Sequence, residues 1–341
     1  MPVLLLAASG AAEAKWVPPS STQAAPYHNA LLAKLRRDEP VFGGFVTIPH
    51  YQTVENLAAP GFLDFMWIEA EHGQWGAAHA QRLVAACENK GVAPVVRVPQ
   101  SEVDVVKKFV GSGAWGFVMP NIGSAADAKR ALATVKYPPE GTRRAGAERA
   151  NDFLMRFGDY MKVANSQMLT VLMMETPEAV RDIEEWVKLP GLDVVHLGPY
   201  DLSLRLNVTM DSALLKQKVA HVEEVCREAG VALGGAVNSL AEAKEKYDQG
   251  YRFFTVPGDM QLLQGGISEF FQDSPTFQIV KRPARTFPET GNTVRIVAII
   301  GASVLLVAVG ALLVWRYHSR RSKQDQGHEN EAEFTNFDSL L

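Results

Sequence analysis

One pattern constrains this chain more than any other. Between residues 28 and 268, short apolar runs alternate with longer amphipathic ones, eight times over. The candidate strands lie at 41–46, 65–68, 95–98, 116–119, 169–174, 194–197, 232–235 and 253–256. Helical patterning fills most of the gaps, at 77–90, 104–112, 125–135, 177–188, 213–229 and 240–249. Gly91, Gly113, Gly230 and Gly250 stand where helix C-caps belong, just before the next apolar run. Unbroken strand–helix alternation demands a parallel sheet covered by helices. Eight units in about 240 residues predict an α/β fold, an eight-stranded (β/α) TIM barrel. An open doubly wound sheet is disfavoured, because G-G-F-V at Gly43–Val46 is not a phosphate-binding glycine fingerprint. Residues 137–165 interrupt the alternation and are expected to form an active-site loop with an extra helix.

The flanks differ from the barrel. Residues 1–27 hold a short apolar run, Val3 to Ala8, with no basic residue before it, and then a Pro- and Ser-rich linker. The start reads as a weak signal peptide or as a disordered terminus. The barrel is assigned to 28–273 and a second linker to 274–295. Residues 296–315 are twenty in number, uncharged, with Ser303 the only polar side chain. At about 1.5 Å per residue they span about 30 Å, the depth of a bilayer's hydrocarbon core, and predict a single transmembrane helix. Trp315 and Tyr317 mark an interface, Arg316, Arg320, Arg321 and Lys323 follow, and a polar tail fills 316–341. Four basic residues flank the span on each side, so charge does not orient it. With a signal peptide the barrel would be lumenal or extracellular; without one it would be cytosolic and tail-anchored.

The net charge of −4 supplies no basic footprint, so no nucleic-acid partner is expected. Two cysteines, Cys87 and Cys226, have neither metal-type spacing nor a disulfide framework.

In a closed parallel barrel the chemistry lies at the carboxyl ends of the strands. The second strand runs F-M-W-I and then breaks into Glu69, Glu71, His72 and Gly73. The third carries Arg97 at its edge, the fifth ends on Glu175, and the sixth leads through Gly198 to Asp201. Thr176 suffices to cap the next helix, with Pro177 at its first position, which leaves Glu175 free. Asp201 could itself cap a helix at Leu202, and Arg97 could pair with a neighbouring acid. His196, inside a strand, reads as a packed core histidine. Carboxylates in an oxygen environment favour a hard divalent ion, Mg²⁺ or Mn²⁺, over thiolate-bound zinc. Such an ion can hold a 2-oxo acid and stabilise its enolate. Arg97 can oppose the same negative charge, and His72 can move a proton near neutral pH. No lysine sits at a strand end, which disfavours a Schiff base.

The chain resembles the HpcH/HpaI aldolases, metal-dependent class II enzymes that cleave hydroxy-keto acids to pyruvate and an aldehyde. The resemblance rests on I-E-A-E-H-G at 68–73, V-V-R-V-P at 95–99 and V-M-P-N-I-G-S-A at 118–125. It continues in Y-P-P-E-G-T-R at 137–143, M-E-T at 174–176, G-P-Y-D-L-S at 198–203 and F-F-T-V-P-G-D at 253–259. It implies His72 as catalytic acid or base, Arg97 as enolate stabiliser, and Glu175 and Asp201 as metal ligands. Met173, Tyr200 and Ser203 fall at substrate-contacting positions, and a homo-oligomer built through the last helices is implied. Four positions depart from the family pattern. Glu69 replaces an Asp, and Gly111 falls where an Asp usually raises the basicity of the histidine. Met173 replaces a Gln, and Tyr200 an Ala. The expected activity is retro-aldol cleavage of a 4-hydroxy-2-oxo acid by a membrane-anchored barrel. The alternatives are related enolate chemistry on oxaloacetate-like or acyl-CoA substrates, or a metal-binding pseudoenzyme serving as a scaffold.

Overall fold

The computed structural model of the protein describes residues 28–272. Eight parallel strands close into a barrel in sequence order, β1 (Val41–Val46), β2 (Phe65–Glu69), β3 (Ala93–Arg97), β4 (Gly116–Met119), β5 (Leu169–Met174), β6 (Val194–Leu197), β7 (Ala232–Ala236) and β8 (Tyr251–Val256). β8 returns to pair with β1, Val41 opposite Phe253.

Helix α1 (Ala30–Arg36) precedes β1, and α2 (Tyr51–Ala58), α3 (Ala77–Lys90), α4 (Val103–Val110) and α5 (Ala125–Thr134) follow β1 to β4 in turn. An insertion after α5 carries a 3-10 turn (Arg149–Asn151) and α6 (Phe157–Gln167). Helices α7 (Pro177–Arg181) and α8 (Ile183–Trp186) follow β5, and α9 (Pro199–Leu206) and α10 (Ala213–Ala229) follow β6. α11 (Leu240–Asp248) follows β7, and α12 (Asp259–Phe270) follows β8. The helix expected over 177–188 is thus broken at Asp182, which ends α7 and starts α8. Gly91 and Gly230 are left-handed caps of α3 and α10, while Gly113 and Gly250, also left-handed, lie just beyond the caps of α4 and α11.

Side chains alternate across a strand, and this parity divides the core in two. Phe65, Trp67, Val95, Val118, Val171, Met173, Val194 and Phe253 fill the barrel interior, closed at the amino-terminal end by Leu31, Leu32 and Leu35 of α1. Met66, Ile68, Val96, Phe117, Leu172 and Val195 face the helices in a second layer.

The insertion is not where the sequence suggested. It joins the end of α5 to the start of β5, so it lies at the amino-terminal end of the barrel, away from the strand ends that carry the acids. The Tyr137 N–H and carbonyl bond to Asn165, the Asn29 side chain to the carbonyls of Trp115 and Gln167, and Ala150 N–H to the Gly111 carbonyl. A cavity of about 550 Å³ lies there among Trp115, Arg149, Glu88 and Tyr160. The residues expected to form an active-site loop therefore line the far end of the barrel. Among the described residues no helix is long and apolar enough to cross a membrane; residues 1–27 and the span at 296–315 lie outside them.

Candidate active site

Strand parity places the polar groups. Trp67 and Val95 point inward, so Glu69 and Arg97, each two residues on, also face the axis where β2 and β3 end. They are register partners. On β5, Val171 and Met173 point inward, so Glu175 emerges just past the strand on the same side. All three are nearly buried.

Arg97 is the hub. One terminal nitrogen lies 3.4 Å from Glu69 Oε2; the other pairs with Glu71 and sits 3.6 Å from Glu175 Oε2. Glu69 is wholly engaged with the protein. Its Oε1 accepts the backbone N–H groups of Glu71 (2.9 Å) and His72 (3.1 Å), and its Oε2 accepts the Trp67 indole N–H at 3.0 Å. The carboxylate therefore folds the E-A-E-H turn around itself. Gly73 completes the turn, because a Cβ there would fall 2.5 Å from the Glu69 carbonyl oxygen.

Glu175 is held differently. Its Oε1 accepts the backbone N–H of Asn121 at 2.6 Å. Asn121 adopts a left-handed φ of 56°, and its side-chain oxygen accepts a hydrogen bond from Arg205 at 2.8 Å. Gly198 lets α9 approach, since a Cβ there would lie 3.0 Å from Glu175 Cβ. Thr176 caps α7 by accepting the Ala179 N–H and donates its hydroxyl to the Ile122 carbonyl, so Glu175 takes no part in capping. Its Oε2 is buried without a hydrogen-bond partner.

The charges do not balance. Arg97 faces Glu69, Glu71 and Glu175 in a poorly solvated space. Burial pushes the Glu71 carboxyl up to about 7. Arg97 opposes that rise, while Glu175, Glu69 and Asp201 add to it. Asp201 lies in the first turn of α9 and is solvent-exposed; it does not cap that helix, whose N-cap is Gly198. His72 is exposed, with its Nε2 3.9 Å from Glu71 Oε2.

Residues 42–264 match the profile of the HpcH/HpaI aldolase/citrate lyase family. The chain belongs to that family. It is 31% identical, over 72% of its length and 98% of the relative's, to a hydroxypyruvate/pyruvate aldolase of Paraburkholderia phytofirmans. A 4-hydroxy-2-oxo-heptane-1,7-dioate aldolase of Shigella flexneri is 28% identical, over 69% of this chain and 89% of its own. Among solved structures, an HpcH/HpaI aldolase/citrate lyase family protein of Burkholderia cenocepacia J2315 superposes with a TM-score of 0.67 at 30% identity, covering 72% of this chain and 98% of that one. A citrate synthase structure superposes with a TM-score of 0.63 at 26% identity, over 70% and 95% of the two chains. The protein is accordingly a carbon–carbon lyase.

HpcH/HpaI enzymes generally depend on a divalent metal. The residues present fit one. Glu175 keeps a buried, unpartnered oxygen aimed into a net-negative mouth, and a doubly charged cation would offset the surplus. Among the described residues no three acidic, histidine or cysteine side chains converge as a ligand cage.

The remaining expected positions fall as follows. Met173 is buried in the barrel interior beneath Glu175. Tyr200 is 70% exposed, and its carbonyl accepts the Ser203 hydroxyl at 2.7 Å, so buried Ser203 spends its proton within α9. His196 is a core histidine, tilted against Trp67 and edge-on to Phe253, and burial, with Arg97 and Lys246, holds its imidazole down to about 3. Gly111 caps α4 at the amino-terminal end of the barrel, against the side chain of Glu148. A side chain there could not reach His72 of the same chain, because α4 runs the whole way back from the mouth. Asn121 went unnoticed in the sequence. Its signal was P-N-I-G after the fourth strand, a left-handed turn beside a strand end.

Proposed function

We propose that this protein cleaves a 4-hydroxy-2-oxo acid to pyruvate and an aldehyde, reversibly, with Mg²⁺ or Mn²⁺ bound by Glu175 and Asp201. The observation that carries the reading is the arrangement of Arg97 beside the unpartnered Oε2 of Glu175, in a mouth with surplus negative charge. The metal would supply Lewis acidity to the substrate's carboxylate and keto oxygens. Arg97, fixed by Glu69 and Glu71, faces the same oxygen as it gains charge. His72 takes the proton of the C4 hydroxyl. The C3–C4 bond then breaks, its electron pair passes into the pyruvate enolate, and the aldehyde leaves. Return of a proton to C3 gives pyruvate. Met173 and the backbone around Tyr200 and Ser203 would line the substrate. The citrate synthase relationship favours a second reading, Claisen-type addition or decarboxylation through the same enolate.

Two further features belong to the proposal. The protein is a homo-oligomer, and α12 is the element that supports this. Leu262, Leu263, Ile267 and Phe270 on it are all exposed. A groove of about 390 Å³ on the outside of β1 and β8, among Phe42, Ala243, Tyr247 and Phe254, lies where a helix following β8 would pack. The protein is also membrane-anchored, single-pass, through residues 296–315, a reading supported by twenty uncharged residues followed by a basic cluster.

The test is pyruvate release by the full-length chain in detergent from a panel of 4-hydroxy-2-oxo acids, with Mg²⁺, Mn²⁺ or chelator, and His72→Ala as control. Metal-dependent pyruvate absent from the control supports the reading. Silence on the panel, together with condensation or decarboxylation on oxaloacetate, would move the assignment to the second one.

A further inference from the structure

Glu71 helps to fix Arg97, and it also approaches the group that moves the proton. Its carboxylate pairs with the terminal Nη2 of Arg97, and its Oε2 lies 3.9 Å from His72 Nε2. Its backbone is pinned by Glu69 Oε1, and so is that of His72. The two residues thus project from one fixed turn. Glu69 cannot share the task, because both of its oxygens are already taken by backbone, indole and guanidinium donors. Glu175 is engaged by the Asn121 N–H and faces Arg97, and it makes no ion pair with His72. Among the described residues, the ion pair His72 makes is with Glu71.

The separation of 3.9 Å is a charge contact and not a hydrogen bond. Rotation of the exposed imidazole would close it, and such contacts commonly tighten when substrate binds. The ring nitrogen that faces Glu71 is Nε2. A carboxylate there favours the tautomer with its proton on Nε2 and leaves Nδ1 free to accept.

We propose that Glu71 is a positioning residue for the aldol step, holding His72 in the Nε2–H tautomer while it fixes the guanidinium of Arg97. The inference rests on the aldolase reading of this site. The C4 hydroxyl proton passes to Nδ1 of His72, the C3–C4 electrons pass into the enolate, and Glu71 faces the imidazolium that results. The same proton returns from Nδ1 to C3. Glu71 itself exchanges no proton with the substrate. The charged groups around it are Arg97 from β3, Glu69 and His72 from its own turn, Glu175 after β5 and Asp201 from α9.

The experiment uses the full-length chain and the variants Glu71→Gln and Glu71→Asp. It measures kcat and KM for pyruvate release across pH, Mn²⁺ affinity, and the ¹⁵N signals of the His72 ring, assigned with His72→Ala. Glu71→Gln is expected to lower kcat about 100-fold, the scale of a misoriented general base, with KM and Mn²⁺ affinity within about threefold. The His72 signals should shift from Nε2–H towards a tautomer mixture, and Glu71→Asp should restore part of both. A kcat within about threefold of the parent, or a His72 tautomer ratio that does not move, would overturn the proposal. The nitrogen spectrum reads the contact without turnover. A Glu71-dependent ratio in a chain that releases no pyruvate would keep the contact and overturn the aldolase reading instead.

Discussion

Arg97 and Glu175 approach to 3.6 Å, Nη2 to Oε2, without a hydrogen bond between them. The other Glu175 oxygen is locked by Asn121 N–H. One oxygen is thus oriented by the backbone, and the other keeps no hydrogen-bond partner, as the proposed role of Glu175 as a ligand requires.

Glu175→Gln keeps the Asn121 contact and nearly the same shape but removes the charge. Mn²⁺ affinity, read by calorimetry or by the metal's paramagnetic signal, should fall by about 100-fold or more, since a ligand matters at least as much as its supporting partners. Undiminished affinity would place the metal elsewhere.

Arg97→Lys tests geometry at constant charge. A lysine ammonium cannot reach Glu69, Glu71 and Glu175 together, because it lacks the planar fork. Loss of one preorganised donor should lower kcat by about 10²–10³ with a smaller change in KM. Arg97→Met goes further and leaves buried carboxylates without a cation, which should cost about 3–5 kcal/mol of stability by urea titration. A variant as stable as the parent would mean that Arg97 does not offset these acids in the folded state.

Two buried groups give the pH dependence of stability opposite slopes. Glu71 rises on folding from 4.5 to about 7, so its contribution is present below 4.5 and is lost as pH rises through 7. His196 falls from 6.5 to about 3, so its contribution is present above 6.5 and is lost as pH falls through 3. Between pH 4.5 and 6.5 the two oppose each other, each at up to about 1.4 kcal/mol per pH unit. In chelator, Glu71→Gln should therefore become more stable as pH rises through this window, and His196→Leu less stable. Urea midpoints at three pH values decide it. Two variants that both track the parent would show that neither group titrates as assigned.

The barrel was legible in the sequence because its strands are short, apolar and regularly spaced, and the side-chain period carried Glu69, Arg97 and Glu175 to one end with no further information. β3 and β8 begin two residues earlier than their apolar runs suggest, at Ala93 and Tyr251, because Pro94 and Arg252 disguise their first turns of pleat. The insertion lies opposite to where its loop-like composition suggests, and chain order alone places it there. A segment between a helix and the following strand must return to the amino-terminal end. The same reasoning removes Gly111 from the His72 of its own chain. What no pattern could show was the division of labour among the acids. Glu69 and Glu71 look alike in E-A-E-H, and only the fold reveals that one is consumed by the turn while the other spans Arg97 and His72.

The last prediction concerns α12. Its first residue is fixed, since Asp259 Oδ2 accepts the N–H groups of Thr47 (2.8 Å) and Ile48 (2.7 Å). Beyond that point Leu263 and Ile267 remain 59% and 64% exposed, which is costly for a helix that could otherwise lie in the groove beside β1. An exchange of this helix between copies would bury both surfaces. If copies assemble in this way, the double substitution Leu263→Lys and Ile267→Lys should shift sedimentation from an assembled species to monomers, while the Asp259 contacts keep the start of the helix in place. A parent chain that already sediments as a monomer in detergent would refute the exchange and leave this apolar face to another partner.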